Sequence, residues 1–199
     1  MKRSTTFWLM LVFLASGFAA LLYQVVWQRS LFAIYGINIE SVTVVVTAFM
    51  LGLGFGSFAG GAISKNPERP ALLLFGLVEL GIGLFGLVSL PLFHWVGGLT
   101  LDLSPVATAI VTLALVLLPT MLMGGTLPLL VAHMVRKNGN VGKSVGQLYF
   151  VNTLGSAIAS IASVMVIMGP MGEAGTVHAA AAVNGVVGFG AISLHLRGR

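Results

Sequence analysis

From Val42 to Ile63 the chain runs 22 residues without a charged side chain, and inside that run Gly52, Gly56 and Gly60 recur at four-residue spacing. About 20 apolar residues wound as a helix cross the hydrocarbon core of a bilayer. Glycines four apart line one face of that helix, so a second backbone can approach where lipid would otherwise meet side chains. The run ends in a short basic loop, Ser64 to Pro70. The segment therefore reads as a membrane helix with a tight helix contact, followed by a cytoplasmic hairpin.

The rest of the chain repeats the pattern. With 57% hydrophobic and only 8% charged residues, 199 residues lack the polar surface of a water-soluble domain. Apolar windows predict six transmembrane helices, at about 7–26, 42–63, 72–93, 106–131, 148–168 and 176–196, in a single all-α domain without room for a soluble catalytic domain. The first window follows Lys2 and Arg3 and contains a small-residue stretch, Gly17 to Ala20, as a signal peptide does. Its apolar length is that of a span rather than of a signal core, and an uncleaved helix is expected.

Six spans put both termini on one side. Nine basic residues then share that side: Lys2, Arg3, Lys65, Arg69, Arg136, Lys137, Lys143, Arg197 and Arg199. Arg29 alone falls opposite. Basic loops are retained in the cytoplasm, so both termini are expected inside. The net charge of +5 is thereby accounted for by topology, without a nucleic-acid partner. Cysteine is absent, and His94, His133, His178 and His195 are scattered without metal-ligand spacing, so no metal or other cofactor is expected.

Glu79 is the sharpest functional candidate. It lies deep inside the third span, where a carboxylate is costly and usually faces a partner or cavity. Gly76, Gly83 and Gly86 leave room around it. It reads either as a protonatable or cation-binding group, or as a neutral, structural carboxylic acid hydrogen-bonded to an adjacent helix at Asn152 or Gln24. Gly81 to Gly86 matches the dinucleotide pattern G-x-G-x-x-G, but it sits within an apolar helix rather than after a strand, so these glycines read as packing residues.

Tyr23 and Trp27 form an aromatic strip beside Gln24 and Gln28 at the end of the first span, which reads chiefly as an interfacial belt. Gln24 and Arg29 could also line a polar pocket near the outer face. Pro119 and Pro128 bracket Gly124 and Gly125, which predicts a kinked or broken fourth helix and makes these four residues hinge candidates. In the fifth span Gly155 continues a small-residue stripe for packing, as Gly83 does in the third, and Tyr149 and Asn152 lie on overlapping faces as candidates for binding substrate or ions. No nucleophile and base are paired in a known motif, and no catalytic residue is assigned.

Several stretches resemble one family. These are Ser16 to Arg29, Ala48 to Ser57, Val78 to Gly83, Pro119 to Pro128 and Leu148 to Gly155. They are similar to the N-terminal transmembrane region of bacterial membrane proteins commonly fused to a spermidine synthase-like domain. That region in turn resembles a six-helix half of a major-facilitator transporter, and the loop Gly60 to Arg69 is similar to that superfamily's basic loop, without its usual acidic residue. The synthase domain has no counterpart here, so spermidine synthase activity does not carry over and the chain is not expected to be an enzyme. Gln24 stands where the family often has Glu.

The resemblance implies a bacterial inner-membrane protein, transporter-like or channelling a small cationic metabolite such as a polyamine. Half a transporter implies a homodimer or a membrane or soluble enzyme partner, with the glycine groove of the second span as a candidate interface. The alternative is a non-transporting anchor that recruits a separately encoded synthase-like enzyme through Lys65, Arg69, Arg136 and Lys137.

Overall fold

The structure, a computed structural model, describes residues 3–36, 39–100 and 102–197, and the described residues are helical throughout apart from short turns. In chain order they form α1 (Arg3–Tyr35), α2 (Ile39–Ser64), α3 (Ala71–Thr100), α4 (Pro105–Asn138), α5 (Val141–Ala162), a five-residue π turn (Ser163–Ile167) and α6 (Met168–Arg197). Lys2 and Arg199, which enter the charge count, lie outside the described residues, as do the side chains of Arg3 and Glu40.

Five continuous helices are long and apolar enough to cross a membrane. The last of them is the whole 57-residue run Val141–Arg197. That run is not straight. Leu148 near its start and Val187 and Ala191 near its end share one core cluster, although about 60 Å would separate them along an ideal helix. The backbone turns at Gly172, whose φ of 63° and ψ of −173° leave the helical region. L side chains rarely adopt that conformation, so glycine is the residue that fits it.

The helices outrun the apolar windows that predicted them. At about 1.5 Å per residue α1, α3 and α4, of 33, 30 and 34 residues, reach roughly 45–51 Å, against a hydrocarbon core of about 30 Å. Their polar ends are finished by caps. Ser104 Oγ accepts from the Ala107 N–H at the start of α4, and Asn140 Oδ1 accepts from the Lys143 N–H at the start of α5.

Three close helix pairs build the bundle, α2 on α4, α1 on α5 and α3 on α6, and each is seated on glycine. A Cβ at Gly52 would collide with Thr120, and one at Gly56 with the Met121 carbonyl. On the opposite helix Gly124 admits the Leu53 backbone. Gly155 takes the Leu14 carbonyl of α1, and Gly76 and Gly188 face each other between α3 and α6. The groove proposed as a dimer interface is thus filled by α4 of the same chain and is closed to a second copy.

Of the kinked or broken fourth helix expected, the break is absent: α4 runs as one helix through Pro119 and Pro128. A proline at 128 removes the N–H that would bond the Gly124 carbonyl. Ser57 Oγ of α2 donates to that carbonyl instead, at 3.0 Å. A neighbouring hydroxyl supplies the missing donor, and no unwinding is needed.

At the opposite end from Gly172, Arg136 reaches across from the last turn of α4. Its guanidinium donates to the carbonyls of Ser64, Asn66 and Arg69, at 2.7–2.8 Å. Arg136 therefore ties down the loop between α2 and α3 and is occupied within its own chain.

Two measurements test this packing. Gly56→Val should lower the thermal midpoint of the detergent-purified protein, costing about 1–3 kcal/mol by overpacking. Gly61→Ala, where a Cβ meets nothing within 4 Å, should leave the midpoint unchanged. Arg136→Ala should speed tryptic cleavage after Lys65 in the folded protein, whereas equal cleavage rates would mean the clasp does not hold the loop.

Candidate functional site

Glu79 sits on the packed face of α3, in register with Phe75, Gly76, Ile82, Gly83 and Gly86. It lies eight residues past Ala71, about 12 Å into the helix, and is 0% exposed. Gly83, one turn further on, leaves the space into which Asn184 of α6 fits.

Each oxygen of the Glu79 carboxyl has a partner from a different helix. Ser16 of α1 donates to Oε1 at 2.5 Å, and the Asn184 side-chain amide donates to Oε2 at 2.6 Å. Both donors are neutral. The ion pair among the described residues joins Arg29 to Glu173 near the Gly172 turn, and every described Lys or Arg lies toward a helix end. The Glu79 carboxyl therefore has hydrogen-bond donors but no cationic partner in the described chain.

Beside this cluster lies a cavity of about 70 Å³, lined by Ser16, Leu53, Ile82, Thr126, Asn152 and Asn184 among others. These six side chains come from six successive helices, α1 to α6. Asn184 has one more feature. Its Oδ1 is buried and accepts no hydrogen bond. Donation of its NH2 to Glu79 turns this acceptor away from the carboxylate.

Above the cavity an aromatic column fills the bundle. Tyr23 and Trp27 stack at 4.9 Å between ring centres, and Trp27 meets Phe85 and Phe93 edge-on. Trp27 Nε1 donates to Ser89 Oγ at 2.9 Å, and Ser89 donates to the Gly86 carbonyl at 2.7 Å. The strip read as an interfacial belt is thus bundle core, with both rings fully buried. Its spacing is the same in either setting. What decides the matter is that α1 continues to Tyr35, placing Trp27 well inside the helix.

The other candidates divide. Asn152 lines the cavity but is not a direct partner of Glu79. Tyr149 is 62% exposed on the outer face of α5 and is remote from it. Gln24 is half-buried and lines neither described polar cavity. Arg29 pairs with Glu173 at 2.9 Å, at the rim of a larger cleft of about 480 Å³ between α3 and α6 that also holds His94 and His178. Gly124 and Gly125 pack toward α2, so the proposed hinge residues belong to the tight α2–α4 seam. Ser16, Thr126 and Asn184 were not singled out from the sequence. Asn184 carried a readable signal, since an amide in the middle of an apolar span is costly unless bonded.

Among the described residues no cluster of three or more His, Cys, Asp or Glu side chains could hold a metal. The arrangement places one buried carboxyl between two neutral donors, beside a small polar space.

A double-mutant cycle tests the cluster. Asn184→Ala should destabilise the native protein by about 1.5–3 kcal/mol, the usual worth of a hydrogen bond to a charged group. In a Glu79→Leu background the same change should cost much less, and equal costs in both backgrounds would show that the two side chains are not coupled.

Comparison of the chain with protein-family models, with curated proteins and with solved structures gives no match in any of the three. Its function therefore rests on the chemistry of the residues themselves.

Proposed function

We propose that this chain is a multi-pass, transporter-like membrane subunit whose working group is Glu79, exchanging a proton or a small cation. The observation that carries this is the carboxyl held by two neutral donors at 2.5 and 2.6 Å, beside a polar cavity and without a cationic partner among the described residues. A structural carboxylate in a bilayer is normally balanced by a basic residue. Here the balance has to come from something that enters and leaves.

In this reading the run Val141–Arg197 contributes two spans folded back at Gly172, so that six helices surround the cavity, as in half of a major-facilitator bundle. Both termini lie in the cytoplasm of a bacterial cell, as the distribution of Lys and Arg favours. A cavity of about 70 Å³ has room for two or three water-sized species at about 30 Å³ each. It suits a proton or a small ion, and a polyamine would require the helices to part. The unbroken α4 and its bond from Ser57 favour α2 and α4 moving together, with Gly172 as the pivot between α5 and α6. A second copy or another membrane protein completes the pathway.

The anchor reading draws less from these features, because Arg136, one of its four basic contacts, is engaged with the chain's own loop.

The test is ion-driven or proton-driven flux in proteoliposomes. Glu79→Gln, which keeps the shape and the acceptor for Asn184 and turns the other oxygen into an NH2 that the Ser16 hydroxyl can rotate to accept, should abolish flux while leaving the thermal midpoint within a few degrees of the parent. Flux at the parental rate in that variant would remove Glu79 from the mechanism.

A further inference from the structure

The orphan acceptor at Asn184 and the three other polar side chains of the cavity wall narrow the identity of the missing counter-charge. Asn184 is 1% exposed, its Oδ1 has no donor, and it lines the same small cavity as Ser16, Thr126 and Asn152. Thr126 spends its hydroxyl proton on the Met123 carbonyl at 2.7 Å, so its oxygen presents lone pairs rather than a donor. Asn152 brings a second side-chain amide, seated where Gly17 leaves space.

We infer that this cavity is a binding site for a single dehydrated monovalent cation of the sodium or potassium class. Asn184 Oδ1 and the oxygens of Thr126 and Asn152 are its donors, and Glu79 supplies the compensating charge through the Asn184 amide. The inference rests on the transporter-like reading for its purpose but not for its chemistry. Neutral oxygens with one carboxylate behind them match a hard cation of charge +1. Thiolate or imidazole donors, which would favour a transition metal, do not line the cavity. The two ends of the Asn184 amide then have distinct work. Its NH2 holds the carboxylate, and that bond aims its carbonyl oxygen at the ion.

The ion's position also accounts for the neutral donors on Glu79. A lysine or arginine there would neutralise the carboxylate permanently and repel any entering cation. Ser16 and Asn184 hold it in place while leaving its charge to act across the cavity.

The experiment uses the purified full chain in detergent, followed by tryptophan fluorescence during thermal unfolding, in NaCl, KCl or choline chloride at matched ionic strength. Sodium or potassium should raise the midpoint saturably above choline, because choline is too large for the cavity. Thr126→Val, close to isosteric, should weaken the apparent affinity about tenfold, the equivalent of about 1.4 kcal/mol. Asn184→Ala should abolish the response, and if that variant does not fold, Thr126→Val alone decides. Identical midpoints in all three salts, or an unchanged affinity in Thr126→Val, would overturn the site. Stabilisation by acid with no response to sodium or potassium would assign the counter-charge to a proton and overturn it equally. Failure here with Glu79-dependent flux intact would leave the transporter reading standing. Saturable binding without any flux would do the reverse.

Discussion

Inside a bilayer, burying apolar side chains against one another gains little, because lipid chains are as apolar as leucine. Cohesion has to come from close contact between backbones and from polar groups that find each other. The glycine positions of this bundle supply the first. Gly56 against Met121, Gly124 against Leu53, Gly155 against Leu14 and Gly76 against Gly188 are approaches that any larger residue would prevent. They fix which helix lies on which, and the two core clusters fill in around them.

The polar groups supply the second. Ser57 to the Gly124 carbonyl, Trp27 to Ser89, and Ser16 and Asn184 to Glu79 each join residues more than 60 positions apart. The first completes a helix that proline would otherwise leave short of a donor, and the second finds a partner for an indole N–H. The third differs from these in burying a carboxyl without a cationic partner among the described residues and in leaving an acceptor open.

Much of the architecture was legible in the sequence because the signals were long and one-sided. Apolar windows mark helices whatever the tertiary contacts, and the four-residue glycine spacing marked a tight seam before its partner was known. The partner was not legible. The groove on α2 could have met a second copy as readily as α4, since spacing records closeness and not identity. The same limit applies to Pro128, whose missing N–H is replaced by the hydroxyl of a serine 71 residues earlier in the chain. Tyr23 and Trp27 were misplaced because the apolar window ended at Val26 while the helix did not. Glu79 was legible as a candidate because its cost is intrinsic, and Asn184 could have been one for the same reason. That these two meet, with Ser16 joining them from a third helix, became visible only once the fold had brought the helices together.

The separation of those partners along the chain bears on how the protein is made. Ser16 precedes Glu79 by 63 residues and is already in place when α3 enters the membrane, but Asn184 follows by 105 residues. At a synthesis rate of about 5–20 residues per second, α3 waits about 5–20 seconds with its carboxyl held at one oxygen only. For that interval the insertion machinery, not the finished bundle, must shelter the charge. Assembly of this protein is therefore ordered in time, with the Glu79 cluster closing only when α6 docks against α3.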